Sequence, residues 1–263
     1  AGMQVGREGS ALVRVRGASS IDLGDGNLVI ARNSGSDGTV IVSERSSITA
    51  GWVGVGARKI DTGNADGGTG TFVLVNSTLN ANQIVIGTNG FLGGTGTING
   101  MVTNRGIFAP GNSPGRLEIN GGFVAEAGSR LILEVEADGQ GGFKTDELVF
   151  NAGQPLDLST LKVEFRFLGA TDPNAFQASG RFGTDTFFQL KAADGSIGGL
   201  TPTLFASASF SASAAAYTIS NFSFSAADGA QFSAQPVPEP GTNALLLAGL
   251  ATLGWLVRRR RQG

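Results

Sequence analysis

The chain has 263 residues, 42 of them Gly, with 15% charged and 41% hydrophobic. So few charges exclude a highly charged disordered tail, and so much Gly argues against a helical bundle. There is no His and no Cys, which excludes zinc and haem sites, Ser-His-Asp and Cys-His catalysis, and a disulfide framework. Four of the 19 basic residues are Arg258, Arg259, Arg260 and Arg261; without them 15 basic residues face 21 acidic ones, a net charge of −6. An acidic body with no basic patch in its sequence speaks against nucleic acid as a partner, because phosphate binding rests on clustered Lys and Arg.

Composition divides the chain. Thirty of the 42 Gly precede residue 143, and 13 of the 17 Phe lie between Phe143 and Phe232. The expected units are therefore residues 1–140, residues 141–234 and a tail over 235–263. In the first unit short apolar runs alternate with Gly, Asn, Ser and Asp clusters, as strands alternate with turns. Leu28-Val29-Ile30, Val53-Gly54-Val55 and Ile84-Val85-Ile86 recur at spacings of 25 and 31 residues. A second set, Gly38-Thr39-Val40, Gly70-Thr71-Phe72 and Gly96-Thr97-Ile98, recurs at 32 and 26. Units of roughly constant length predict an all-β solenoid, with insertions entering at its turns.

The stretch Gly93-Gly94-Thr95-Gly96-Thr97-Ile98-Asn99-Gly100 runs on to Ala109-Pro110-Gly111-Asn112-Ser113-Pro114-Gly115. It is followed by Leu131-Ile132-Leu133-Glu134-Val135 and Lys144-Thr145-Asp146-Glu147-Leu148-Val149-Phe150. Together these resemble the repeat of autotransporter passenger domains, over about residues 25 to 155. The resemblance implies a right-handed parallel β-helix.

Metal and catalytic readings are weak in this unit. Gly67-Gly68-Thr69-Gly70-Thr71 and Gly93-Gly94-Thr95-Gly96-Thr97 begin like a calcium nonapeptide, but Phe72 and Ile98 stand where the Asp ligand belongs. Asp61–Gly67 lacks the alternating ligands and final Glu of an EF-hand, and Asp22–Asn27 reads as a turn. No metal or cofactor is expected. Glu134 and Glu136 form the best carboxylate pair, about 7 Å apart on one face of a strand, within the range of glycosidase pairs. Alternation with inward Leu131, Leu133 and Val135 explains them without catalysis. Asp146, beside Glu147 with its side chain on the opposite face, is a still weaker candidate.

In the second unit Leu161–Leu168 alternates as an amphipathic strand. Thr186–Leu190 and Tyr217–Phe224 read as further strands. A Phe-rich β segment closing the solenoid end is expected, in preference to an aromatic sugar platform, since such platforms favour Trp and Tyr.

The tail carries the most specific pattern. Val237-Pro238-Glu239-Pro240 forms an extended linker. It precedes 17 uncharged residues from Gly241 to Val257, about 26 Å as a helix and the short limit for a membrane span. Trp255 and Arg258, Arg259, Arg260 and Arg261 end it as a membrane stop, with the Arg end cytoplasmic and the body outside. This order resembles a PEP-CTERM sorting signal. The resemblance implies transient inner-membrane insertion, cleavage near Pro238–Pro240 by an exosortase-type membrane protease, and a final place at the cell surface or outside the cell. Ala1–Gly9 has no apolar core, so the sequence is expected to be a fragment or a processed form.

The expected function is a non-enzymatic structural or adhesive protein of the cell surface or exopolysaccharide matrix. The alternative is a β-helix lyase or glycosidase acting on polysaccharide through Glu134, Glu136 or Asp146. An ice-binding array is disfavoured because the Gly-Thr positions are few and uneven.

Overall fold

A computed structural model describes residues 2–111, 114–182, 184–205, 207–225 and 229–237. The protein is predominantly strand, with few helical residues. Most strands fall into three parallel ladders, which the chain visits in the same order again and again.

The first ladder stacks Ser10–Val15, Asp37–Ser43, the start of Thr69–Ile86, the start of Gly90–Asn104, Ile107–Pro110, Arg130–Ala137, Lys162–Phe167 and Ser209–Ala214. The second stacks Ser20–Asp22, the start of Ser47–Val55, the middle parts of the two long strands, Arg116–Ile119, Glu147–Asn151 and Phe188–Lys191. The third begins with Met3–Val5 and Asn27–Ile30, takes the ends of the three long strands, and finishes with Phe123–Ala125 and Leu156–Asp157. Parallel pairing requires a crossover after every strand, and here the other two ladders are the crossover.

Register lines of inward side chains explain the core. In the first ladder Val13, Val40, Phe72, Leu92, Phe108, Leu131, Val163 and Phe210 stand opposite one another. Ile48, Leu79, Ile98, Ile119 and Phe150 form the equivalent line of the second ladder, and Leu28, Val53, Ile84, Val102 and Phe123 that of the third. Most of these are wholly buried, and one continuous hydrophobic cluster runs from Val5 to Ala230. Burying a side chain of this size contributes about 1.5–3 kcal/mol. The alternating pattern of strands such as Asp37–Ser43 thus has its direct physical cause.

The predicted recurrence is present in the third ladder, where Leu28, Val53 and Ile84 pair in register. The Gly-Thr set departs from expectation at its third member. Gly38 faces Gly70 as expected, but Gly70 faces Gly90, while Gly96-Thr97-Ile98 lies in the second ladder opposite Ser77-Thr78-Leu79. The reason is unequal turns of chain: successive residues of the first-ladder line are 27, 32, 20, 16, 23, 32 and 47 residues apart. A dipeptide at fixed spacing therefore drifts from one ladder to another.

Parallel pairing continues through residue 140 without interruption, since Arg130–Ala137 pairs with Lys162–Phe167. Beyond residue 140 the ladders gain antiparallel additions: Phe143–Thr145 on Arg130–Ala137, Ile197–Gly199 on Phe188–Lys191, and the pair Tyr217–Ser225 with Gly229–Pro236. Asp172 caps the short helix Pro173–Ala178, accepting from the Asn174 N–H at 2.9 Å, and turns Phe176 into the core. Phe165 contacts the rings of Phe182, Phe187, Phe210, Phe222 and Phe224 at centroid distances of 4.8 to 6.4 Å.

Candidate functional site

Four parts of the molecule carry polar chemistry. The first is the corner at Ala109–Gly115. Asp146, immediately before the strand Glu147–Asn151, is wholly buried. Its Oδ1 accepts from the Gly115 N–H and its Oδ2 from the Glu134 N–H, both at 2.8 Å, and its own N–H donates to the Glu134 carbonyl at 2.9 Å. Burial pushes its pKa up to about 7, against the two backbone donors that favour the charged form, with the Glu134 charge adding to the rise. Gly111 has φ +102°, and a Cβ there would lie 1.9 Å from Asp146 Oδ1. The Ala-Pro-Gly stretch and the Thr-Asp-Glu stretch, distant in sequence, are thus one local structure.

Glu134 lies on the outer face of Arg130–Ala137, half-buried and opposite Arg166. An open groove of about 320 Å³ passes over it, walled by Val73, Phe91, Ile132 and Arg166. Glu136 sits further along the same strand, opposite Lys144. Glu147, on the other side of the backbone from Asp146, is half-buried and reaches Arg116 at 3.5 Å. The alternation expected for Leu131, Leu133 and Val135 is present, and Ile132 is buried as well. The sequence singled out the Glu134–Glu136 pair, whereas the carboxylate that burial pushes upward is Asp146. Its signal, an Asp two residues after Lys144 and before a strand, becomes legible only with its partner Gly115, 31 residues away.

The second part is a file of amides along the second ladder, which the sequence reading did not detect. Asn151 Nδ2 donates to Asn120 Oδ1 at 2.9 Å, Asn120 to Asn99 at 2.7 Å, Asn99 to Asn80 at 2.7 Å, and Asn80 to Thr49 Oγ1 at 3.2 Å. Each Asn directly follows an inward apolar residue (Leu79, Ile98, Ile119 or Phe150) and is followed by Gly or Ala. An Asn between an inward apolar residue and Gly or Ala is the signal that could have found it. Asn80, Asn99 and Asn120 each donate to one neighbour and accept from the other, whereas Asn151, at the end of the file, only donates and its buried Oδ1 has no partner.

The third part is a hairpin outside the ladders, Ala57–Ile60 with Gly63–Asp66, built from the acidic turn-rich stretch Asp61–Gly67. It covers Trp52, which is wholly buried beneath it with Val29, Ala57 and Val85 in a second small apolar cluster. At the nonapeptide-like turns, Phe72 and Ile98 are core residues. Among the described residues no group of three or more acidic side chains is placed to hold a metal ion.

The fourth part is the exit from the body. The final strand Gly229–Pro236 pairs with Tyr217–Ser225, and Val237, exposed, donates its N–H to the Ala216 carbonyl at 2.9 Å. Pro238, Glu239, Pro240, the predicted apolar helix, Trp255 and Arg258, Arg259, Arg260 and Arg261 lie outside the described residues. Among the described residues no helix is long and apolar enough to cross a membrane.

Residues 236–261 match the PEP-CTERM protein-sorting motif. The match starts at the last residue of the final strand, so folded body and sorting motif meet at one point in the sequence. The motif marks a chain that is exported and processed by an exosortase, a membrane protease-like enzyme, on its way to the cell surface. No curated protein matches the chain.

Proposed function

We propose that this exported chain is a non-enzymatic rod of the cell surface or exopolysaccharide matrix, folded as a right-handed parallel β-solenoid whose end is closed by residues 141–234. The three in-register parallel ladders carry this reading. Right-handed crossover is the rule for parallel strands, and the autotransporter-like stretches fall at the corners and strands that such a fold needs. Outer positions early in the second ladder include Ser20, Ser47, Thr49, Thr78, Asn80, Thr97 and Asn99, and repetition of weak contacts along a stiff body gains strength through multivalency. Exosortase cleaves near Pro238–Pro240 while the apolar segment, Trp255 and the Arg cluster hold the tail in the inner membrane.

The intact mass of the protein from its native cells, fractionated into membrane, surface and medium, tests this. A product ending near Pro238–Gly241 and lacking the Arg residues is expected at the surface or in the medium. A product retaining Arg258–Arg261 in the inner membrane would defeat the sorting step. Loss of matrix retention or of cell adhesion on deletion of residues 1–234 is expected for the structural role.

A catalytic reading has one observation in its favour, the groove that sets Glu134 opposite Arg166 above the buried Asp146. Asp146 is enclosed and both its oxygens are occupied by backbone donors, which supports a structural task instead. Polysaccharide cleavage by the purified protein that Glu134→Gln abolishes would reverse this preference.

A further inference from the structure

Three cations scattered in the sequence, Arg32, Arg58 and Lys59, line one open groove of about 240 Å³ between the hairpin and the outer face of the third ladder, with Gln4, Asn27 and Val29. In a body with an excess of acidic residues, this concentration of positive charge stands out. Among the described residues, the ion pairs within 4.0 Å involve Arg105, Arg116, Arg130, Arg166 and Lys191, and none of these three. The nearby hairpin carboxylate Asp66 is already engaged, with Arg105 at 3.4 Å and the Thr88 N–H at 3.1 Å. Arg58 Nε is buried with no hydrogen-bond partner, and so is the indole Nε1 of Trp52, a side chain only 1% exposed. Lys59 is held over the Trp52 ring, its Nζ 5.6 Å from the centroid.

We infer that this groove is a binding site for an acidic sugar residue, a uronate carried on a polysaccharide or oligosaccharide. Guanidinium groups bind carboxylate through paired, charge-assisted hydrogen bonds, which the geometry of Lys does not reproduce, so two Arg in one groove suit that group. The amides of Gln4 and Asn27 offer both donors and acceptors for hydroxyls, and Val29 offers an apolar wall for ring carbons. Among the described residues this hairpin stands alone as a separate two-stranded sheet, so the site is single and not repeated. The site stands on its own geometry, and only the native source of the sugar depends on the surface reading given above.

The test is titration calorimetry of the full chain with trigalacturonate, with neutral maltotriose and with sodium sulfate as comparisons. Trigalacturonate is expected to bind saturably, and maltotriose and sulfate at least about tenfold more weakly. Arg58→Gln, Arg32→Gln and the exposed Lys59→Gln are each expected to weaken trigalacturonate about tenfold or more while melting like the parent. Arg130→Gln, on another face, is expected to leave binding unchanged. Absence of trigalacturonate binding, binding of sulfate as tight, or equal affinity in the three variants would overturn the site. Uronate binding in vitro without any role in matrix retention would keep the site and defeat the adhesive function. Matrix retention that survives Arg58→Gln with uronate binding lost would place adhesion elsewhere on the protein.

Discussion

The Gly-rich first 140 residues and the Phe-rich stretch after them share the same parallel pairing, but they fill it differently. Up to about residue 104 the core lines are mostly Val, Ile and Leu, and turns of chain as short as 16 residues suffice. Small side chains and Gly let the backbone of one turn approach the next, as at Gly70, where a Cβ would sit 2.0 Å from the Gly56 nitrogen. From Phe108 onward the turns lengthen to as many as 47 residues, and every ring–ring contact among the described residues lies there. The difference teaches that one pairing pattern admits two fillings. Short turns go with aliphatic lines and close backbone approach, whereas the longer turns carry antiparallel additions and large rings that fill the wider space.

The sharpest way to break this contrast is Phe165→Ala, which removes the ring common to five aromatic contacts. A loss of about 3–5 kcal/mol is expected in denaturant unfolding. Leu79→Ala, in the aliphatic half, is expected to lose less, about 2–3 kcal/mol, since small neighbours close more of the gap. Equal losses would mean that the two halves are packed alike.

Asp146 joins the halves, and its titration sharpens the comparison. Its pKa is raised to about 7 in the folded protein against about 3.9 in an unfolded chain. Between those values the folded state keeps a proton that the unfolded state has lost. The stability contributed is therefore present in full below about pH 4 and is lost as the pH rises through about 7. Thermal melts across that window should fall for the parent and fall less for Asp146→Asn.

The amide file gives a smaller effect. Asn99→Ala leaves Asn80 Oδ1 and Asn120 Nδ2 without their partner and is expected to cost about 1–2 kcal/mol in unfolding experiments. The smallest is expected for Lys191→Gln, which removes the surface pair with Glu118 at 2.8 Å. Under about 1 kcal/mol is expected, shrinking further at high salt.

How far the sequence disclosed this molecule depended on the range of each signal. Apolar runs and alternation are local, so strands such as Asp37–Ser43 and Lys162–Phe167 were legible, as was the third-ladder recurrence of Leu28, Val53 and Ile84. Ladder membership is not local. Gly96-Thr97-Ile98 looks like Gly70-Thr71-Phe72, yet it belongs to another ladder, because the turns between them differ in length. The same limit hid the amide file and the groove at Arg32, Arg58 and Lys59, whose members meet only after the chain has gone round. Asp146 reads weakly in the sequence, because a carboxylate beside a strand announces neither its burial nor its backbone donors. The sorting motif is contiguous, and so it was readable in full.

The unequal turns have one further consequence. Adjacent strands in a ladder are separated by about 4.8 Å whatever chain runs between them. The step from Leu92 to Phe108 spends 16 residues and the step from Val163 to Phe210 spends 47, yet each advances the stack by the same amount. Residue count is therefore a poor ruler along a ladder: its length is set by how many strands it holds, and segments inserted between strands leave that length unchanged.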